Sequence, residues 1–241
     1  MHRFYIGPHQ IIRKRVVLKG SQVHQINRVL RLSVGDRLTV FEGDGMEYEV
    51  EISRMGSREV VGRLIEVRLG KGEPSFPIIL AQGLPKGNKM DMIVQKATEL
   101  GVTQIFALAT ERTIPGQKGK LSRWQRIAIE ATEQCGRVKV PKVEGPLSLR
   151  DFLEGQSGKG IKILLWEREA DIRLKDIIRC SGPPEELTLL VGPEGGLTQA
   201  EVAMARERGY HIASLGPRVL RTETASLVAL TIFQYELGDM G

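Results

Sequence analysis

Cysteine and histidine are scarce in this chain of 241 residues, which holds two cysteines, Cys135 and Cys180, and four histidines, at positions 2, 9, 24 and 211. No CxxC pair, HExxH or cluster of carboxylates accompanies them, so no metal site is expected. Cysteines so far apart also fit a reduced compartment, and a cytoplasmic protein is the simpler account. No apolar run approaches the ~20 residues that span a bilayer, and the amino-terminal MHRFYIGPHQ has no apolar signal core. Neither a membrane nor secretion is expected. Two nucleotide signatures are missing as well. No GxGxxG follows a strand, and GQSGKG at 155–160 places Gly160 after Lys159, where a phosphate loop needs Ser or Thr. A Rossmann dinucleotide site and a Walker ATPase are both set aside.

What is present suffices for a real core. At 41% hydrophobic, the chain can fill one large or two smaller domains. Lys and Arg outnumber Asp and Glu by 35 to 29, a net charge of +6 that admits a polyanionic partner without demanding one. The glycine- and proline-rich GKGEPSFP at 70–77 separates two differently patterned regions, dividing the chain into domains 1–73 and 74–241.

Before that boundary the apolar period is mostly two. Leu38, Val40, Tyr48, Val50 and Ile52 share one strand face, Glu47, Glu49 and Glu51 take the other, and Asp44-Gly45 supplies a hairpin turn. A further strand pair within 59–67 and a short helix at 21–30 complete a small β-barrel or sheet. Arg28, Arg31 and Arg37 near that helix either contact phosphates or form a solvated edge.

After the boundary, strands at 78–81, 102–109 and 161–166 alternate with helices, which predicts an α/β domain with a largely parallel sheet. Met92, Ile93, Lys96, Ala97 and Leu100 map one helix, closed by Gly101. Ser122 and Gln125 read as a capping box for the next, which contains Trp124, Ile127, Ala128 and Ala131. A charged segment follows at 167–171. In the last helix, at 222–237, Ala225, Val228, Ile232 and Tyr235 fall near helical spacing.

The most informative stretch is 191–224, VGPEGGLTQAEVAMARERGYHIASLGPRVLRTET. An apolar strand ending at Val191 runs into a glycine loop. A short helix follows, with Thr198 and Glu201 as a capping box worth roughly 1 kcal/mol and Gly209 at its end. A second strand and a charged turn close the series. That order brings backbone amides and ionisable side chains to one end of a sheet, as a ligand site requires.

An ordered series of motifs resembles the bacterial ribosomal small-subunit methyltransferase E family, the 16S rRNA uridine-N3-methyltransferases of the SPOUT superfamily. It comprises HRFY at 2–5, HQINRVLRLSVGDRLTVFEGDG at 24–45, KMDMIVQKATELGV at 89–102, TERTI at 110–114, RWQRIAIEATEQCGR at 123–137, VGPEGG at 191–196 and LGPRVLRTETA at 215–225. The resemblance samples nearly the whole chain. It implies a homodimer, with an N-terminal PUA-like β-barrel domain that helps grip RNA. It also implies a C-terminal SPOUT methyltransferase domain, threaded as a trefoil knot, that binds S-adenosylmethionine.

The carried-over cofactor pocket comprises Leu165, Glu167, Gly192, Glu194, Gly195 and Gly196 together with Leu215, Gly216, Pro217, Val219 and Leu220, with Thr222 at its margin. Glycine backbone permits close approach, and Leu215, Val219 and Leu220 can cover an adenine face. Glu194 either meets the cofactor or fixes its own loop. Arg221 and Glu223 are the catalytic candidates: the arginine to stabilise charge developing on a uracil oxygen, the carboxylate to accept the N3 proton. The alternatives are an ion pair of Arg221 with Glu223 or Glu194, and favourable charge at the helix start for Glu223. Substrate-side candidates are Arg28, Arg31, Lys86, Lys89, Arg112, Gln134 and Arg137, with Glu99 and Glu133 alongside. A Glu133–Arg137 pair within one helix is the plain alternative there. The expected partner is 16S rRNA, in the small ribosomal subunit. A non-enzymatic RNA-binding protein and a related SPOUT enzyme acting on tRNA remain the competing functions.

Overall fold

The computed structural model describes residues 2–7, 10–113, 120–156, 160–169 and 172–240. His9, Ile114 of TERTI, residues 157–159 of GQSGKG and Asp171 lie outside them. The chain forms two compact units. One holds residues 1–73 and 132–140, the other 74–131 and 141–241.

The first unit is built on β1 (Arg3–Tyr5), β2 (Ile11–Ile12), β3 (Arg15–Lys19), β4 (Arg37–Phe41), β5 (Met46–Met55) and β6 (Glu59–Leu69), with α1 (Ser21–His24) between β3 and β4. The sheet order is β1-β4-β5-β6-β3-β2. Among the described residues the ladder runs as one sheet from β1 to the two-residue β2. β4 and β5 form the expected hairpin around Asp44-Gly45, where the Asp44 carboxylate accepts the Met46 amide at 2.9 Å and the Tyr48 hydroxyl at 2.7 Å. Alternation places Leu38, Val40, Val50 and Ile52 in one core with Phe4, Leu18 and Ile26. Each such side chain contributes about 1.5–3 kcal/mol when fully buried. The helix anticipated at 21–30 is only four residues of α1, followed by a wide π-helical turn over Gln25–Val29 and a left-handed Arg31 at φ 53.

In the second unit the strands are β7 (Ile78–Gly83), β8 (Gln104–Ala109), β9 (Lys142–Ser148), β10 (Ile161–Leu165), β11 (Leu187–Val191) and β12 (His211–Ala213). All pair in parallel, in the order β12-β10-β11-β7-β8-β9. The helices are α2 (Lys89–Glu99), α3 (Leu121–Cys135), α4 (Leu149–Gly155), α5 (Leu174–Cys180), α6 (Gln199–Glu207) and α7 (Thr222–Glu236). Every residue of β7 and β11 is buried, as a parallel sheet covered on both faces demands. Ile79, Ala81, Phe106, Leu164 and Leu190 pack on one side with Phe152 of α4 and Val202 of α6. α7 packs against α2, α5 and β11.

Two helix readings are corrected. Ser122 lies inside α3 rather than at its cap, and the Gln125 side chain instead donates to the Pro141 carbonyl and accepts the Val143 amide, each at 3.0 Å. It ties the helix to the entry of β9. In α7 the buried stripe is Thr222, Glu223, Ser226, Ala229, Leu230, Phe233 and Gln234. Ala225, Val228 and Ile232 are only half-buried and Tyr235 is exposed. A buried serine and glutamine sit where an apolar pattern would not place them.

Candidate active site

The carboxyl ends of β10, β11 and β12 open into a cavity of about 360 Å³. Three loops bound it. The first carries Leu165, Trp166 and Glu167, the second Gly192, Glu194, Gly195 and Gly196, the third Leu215, Gly216, Pro217, Val219, Leu220, Arg221 and Thr222. The chain reverses its order of strand placement at β10 and β11, and such switch points are where open α/β sheets take ligands.

Local sequence explains how the second loop is held. The Thr198 hydroxyl accepts the Glu201 amide at 3.3 Å and the Glu201 carboxylate accepts the Thr198 amide at 2.9 Å, the expected capping box. The other Glu201 oxygen accepts the Glu111 amide at 2.9 Å, which brings the TERTI segment against the loop. Arg112 then donates to the Gly195 carbonyl at 2.7 Å. Gly196 has φ +70, a left-handed conformation that a side chain would strain. At the end of β7, a Cβ on Gly83 would lie 2.6 Å from the Pro193 nitrogen, so only glycine lets that strand approach the loop.

Beneath the cavity lies a buried polar ladder. Thr222 donates to the Gly192 carbonyl at 2.6 Å and accepts from Gln82 Nε2 at 2.9 Å, while Gln82 Oε1 accepts from the Ser226 hydroxyl. Gln82 and Ser226 are fully buried. Each such bond contributes about 1 kcal/mol net, but breaking one partner leaves a buried group unsatisfied at a cost of about 1–3 kcal/mol.

A second polar centre joins three charges. Lys89 Nζ is 2.9 Å from Glu194 and 3.3 Å from Glu223. Glu194 also accepts the Lys86 amide at 3.0 and 3.1 Å. Burial pushes the Glu194 carboxyl up, but the bonds from Lys89, from its own amide and from the Lys86 amide together hold it below the usual carboxylate range. Lys89 is held above its ordinary value, chiefly by its bond to Glu194 and, against desolvation, by Glu223. Glu223 is buried at the start of α7, and its Oε2 has no aligned hydrogen bond among the described residues. The anticipated alternative of an Arg221 pair with Glu194 or Glu223 is not formed, because Lys89 occupies both carboxylates. Arg221 is exposed at the cavity and has no ion-pair partner among the described residues.

Residues 72–234 match the family described as RNA methyltransferase domain, and residues 18–65 match one described as RNA methyltransferase PUA domain. Over 232 residues the chain is 38% identical to the ribosomal RNA small subunit methyltransferase E of a Synechocystis strain, covering 95% of this chain and 76% of that relative. The chain belongs to this methyltransferase E family. The Bacillus subtilis member is 35% identical over 91% of this chain and 89% of its own. A crystal structure of the family member from Neisseria gonorrhoeae, bound to S-adenosyl methionine, matches with a TM-score of 0.92 at 33% identity, covering 100% of both chains. The α/β architecture with a PUA-type first unit is thus that of an RNA methyltransferase of the methyltransferase E family.

Among the substrate-side candidates, Lys86, Lys89 and Arg112 gather around the 193–196 loop, whereas Arg28 and Arg31 stand exposed on the first unit. Arg37 pairs with Glu49 at 2.9 Å. Arg137 is 2% exposed and donates to Glu73 at 2.8 Å, so its guanidinium holds the 132–140 segment within the first unit instead of facing solvent. Glu133 accepts the Tyr5 amide at 2.8 Å. Gln134 is exposed, and Glu99 pairs with Lys96 at 2.9 Å. Sequence reasoning missed Gln82, Trp166 and Ser226. Only Trp166, next to Leu165 and Glu167, carried a local signal. Among the described residues no group of His, Cys, Asp or Glu is placed to hold a metal, and no helix is long and apolar enough to cross a membrane.

Proposed function

We propose that this chain methylates N3 of a uridine in 16S ribosomal RNA, using S-adenosylmethionine held in the cavity at the ends of β10, β11 and β12. The observation that carries the reading is the convergence there of every residue assigned to the cofactor from sequence, across three separate loops. The volume suits a small ligand, whose pockets span about 300–1,000 Å³. The residues fit the cofactor's parts: Leu215, Val219 and Leu220 offer an apolar side, and the 192–196 backbone offers close approach. The buried indole nitrogen of Trp166 has no hydrogen-bond partner among the described residues.

Bound S-adenosylmethionine supplies an electrophilic methyl on a sulfonium. The protein's own task is orientation and charge. Neutral uracil carries a proton on N3, which must leave as the nitrogen becomes a nucleophile. Arg221, free at the cavity, donates to the uracil oxygen on which negative charge grows. A guanidinium is no base at neutral pH. The proton passes to Glu223 or to water. Lys89 and Glu194 keep the loop and the start of α7 together around this centre.

In this reading residues 1–73 grip RNA with Arg28 and Arg31, residues 74–241 carry the chemistry, and Lys86, Arg112 and Gln134 lie toward the substrate. A trefoil threading of the second unit, as the family resemblance implies, belongs to the same proposal; the Thr222 bonds to Gly192 and Gln82 hold the start of α7 against the ends of β11 and β7. A cytoplasmic homodimer acting on the small ribosomal subunit completes the proposal, and the half-buried Val228 and Ile232 with exposed Tyr235 on α7 offer a face for the second copy. Incubation with labelled S-adenosylmethionine and small-subunit rRNA, with tRNA in parallel, followed by nucleoside analysis, tests it. Label in 3-methyluridine from rRNA is the expected result. Label on ribose, cytosine or guanine, or in tRNA alone, would overturn the assignment.

A further inference from the structure

Among the described residues, the only non-glycine positions with positive φ are Arg13 at 47, Lys14 at 66 and Arg31 at 53, all cations of the first unit. Arg13 and Lys14 form the two-residue turn between β2 and β3, where Ile12 pairs with Arg15. A two-residue turn with both φ values positive is the type that Asn-Gly fills at least cost. Here it is filled by two long cations in a conformation that L side chains resist. A second cost stands beside it. Arg15 on β3 lies directly opposite Arg63 on β6, and like charges facing across strands repel. Arg13, Lys14, Arg15, Arg54 and Arg63 line one open groove of about 740 Å³. Arg63 has Glu51 at 3.1 Å and Arg54 pairs with Glu59, but Arg13, Lys14 and Arg15 are exposed and have no carboxylate partner among the described residues. Glu51 offsets part of the Arg63 charge, whereas among the described residues no carboxylate answers the charge that the Arg13-Lys14 turn and Arg15 project. A polyanion lying in the groove takes up these cations and screens Arg15 from Arg63.

We propose that the Arg13-Lys14 turn, with Arg15 and Arg63 behind it, is a phosphate-binding groove for the backbone of the RNA substrate. The proposal rests on the methyltransferase reading for its RNA and adds a grip apart from Arg28 and Arg31. Contacts to phosphate carry no sequence information, so the groove supplies affinity and register, not choice of nucleotide.

Replacing Arg13→Asn together with Lys14→Gly gives the turn the residues it prefers. The full-length variant is tested by anisotropy with a fluorescein-labelled 16S rRNA transcript across a KCl series, by thermal unfolding, and by calorimetry with S-adenosylmethionine. The expected result is a higher unfolding temperature with RNA binding weaker by about tenfold, and a salt slope shallower by about 1.4, since each lost contact to a single strand removes about 0.7. Arg15→Gln, on a strand instead of a turn, is expected to lower the slope by about half as much. Affinity and slope unchanged in both variants would overturn the proposal, as would weaker binding at an unaltered slope. Wild-type protein that binds RNA with this salt dependence but takes up no S-adenosylmethionine would sink the cofactor assignment and leave the groove standing.

Discussion

The two units treat polar groups in opposite ways. Around the ends of the parallel sheet, Gln82, Thr222 and Ser226 are buried and bound to one another, and Lys89 serves two carboxylates at once. In the first unit, the buried Arg137 apart, a set of cations stands at the surface: Arg28, Arg31, Arg13, Lys14 and Arg15 are exposed, and Arg63 faces another arginine. A group aimed at a developing charge must hold its place without solvent reorganising around it. One that attracts phosphate over a Debye length of about 8 Å need only be charged and reachable. The difference separates a rigid reaction centre from an electrostatic grip, and mutations should divide along the same line.

The sharpest division is expected at Arg221. Arg221→Ala should lower kcat about 100-fold, with unfolding temperature and S-adenosylmethionine affinity nearly unchanged, because its side chain makes no ion pair among the described residues. Equal loss of folding and cofactor binding would assign it to the scaffold instead. Gly83→Ala should destabilise the second unit by about 1–3 kcal/mol and weaken cofactor binding, since the added carbon meets the Pro193 backbone; calorimetry and thermal unfolding measure both. Gln82→Leu removes the bond that Thr222 accepts and one of the two that Ser226 donates, and should cost about 1–3 kcal/mol, read by urea unfolding.

A pH effect is expected from Glu194. Its folded-state value lies below the ordinary 4.5, so its stabilising contribution is complete above that value and is lost as pH falls through the depressed one. Lys89→Met removes the bond that opposes desolvation of Glu194. The acid limb of cofactor binding should therefore move to higher pH, and an unmoved limb would mean that Lys89 does not hold the loop. The smallest effects belong to Arg28→Ala and Arg31→Ala, each lowering the salt slope of RNA binding by about 0.7 at most, with turnover at saturating RNA unchanged.

Local chemistry made part of this readable in advance. The Thr198–Glu201 box and the Asp44-Gly45 hairpin depend on neighbours three or two residues away, and both formed. The parallel sheet followed from alternation alone. The Ser122–Gln125 box did not form because Gln125 found the entry of β9 instead. Contacts closed by distant crossings left no local trace: Gln82 and Thr222 are 140 residues apart, and Arg137 and Glu73 are 64 apart. In α7 the buried face was misread because its spacing admits more than one stripe, and the one chosen by the fold includes Ser226 and Gln234.

The central claim is that the glycine loop and the Arg221 turn together hold the methyl donor. A crystal structure of the protein with S-adenosylmethionine tests it most directly. The adenosyl group is expected between the 192–196 backbone and Leu215, Val219 and Leu220, with its sulfonium methyl open toward Arg221. Cofactor seated outside these three loops, or inside them with its methyl turned away from Arg221, would contradict it.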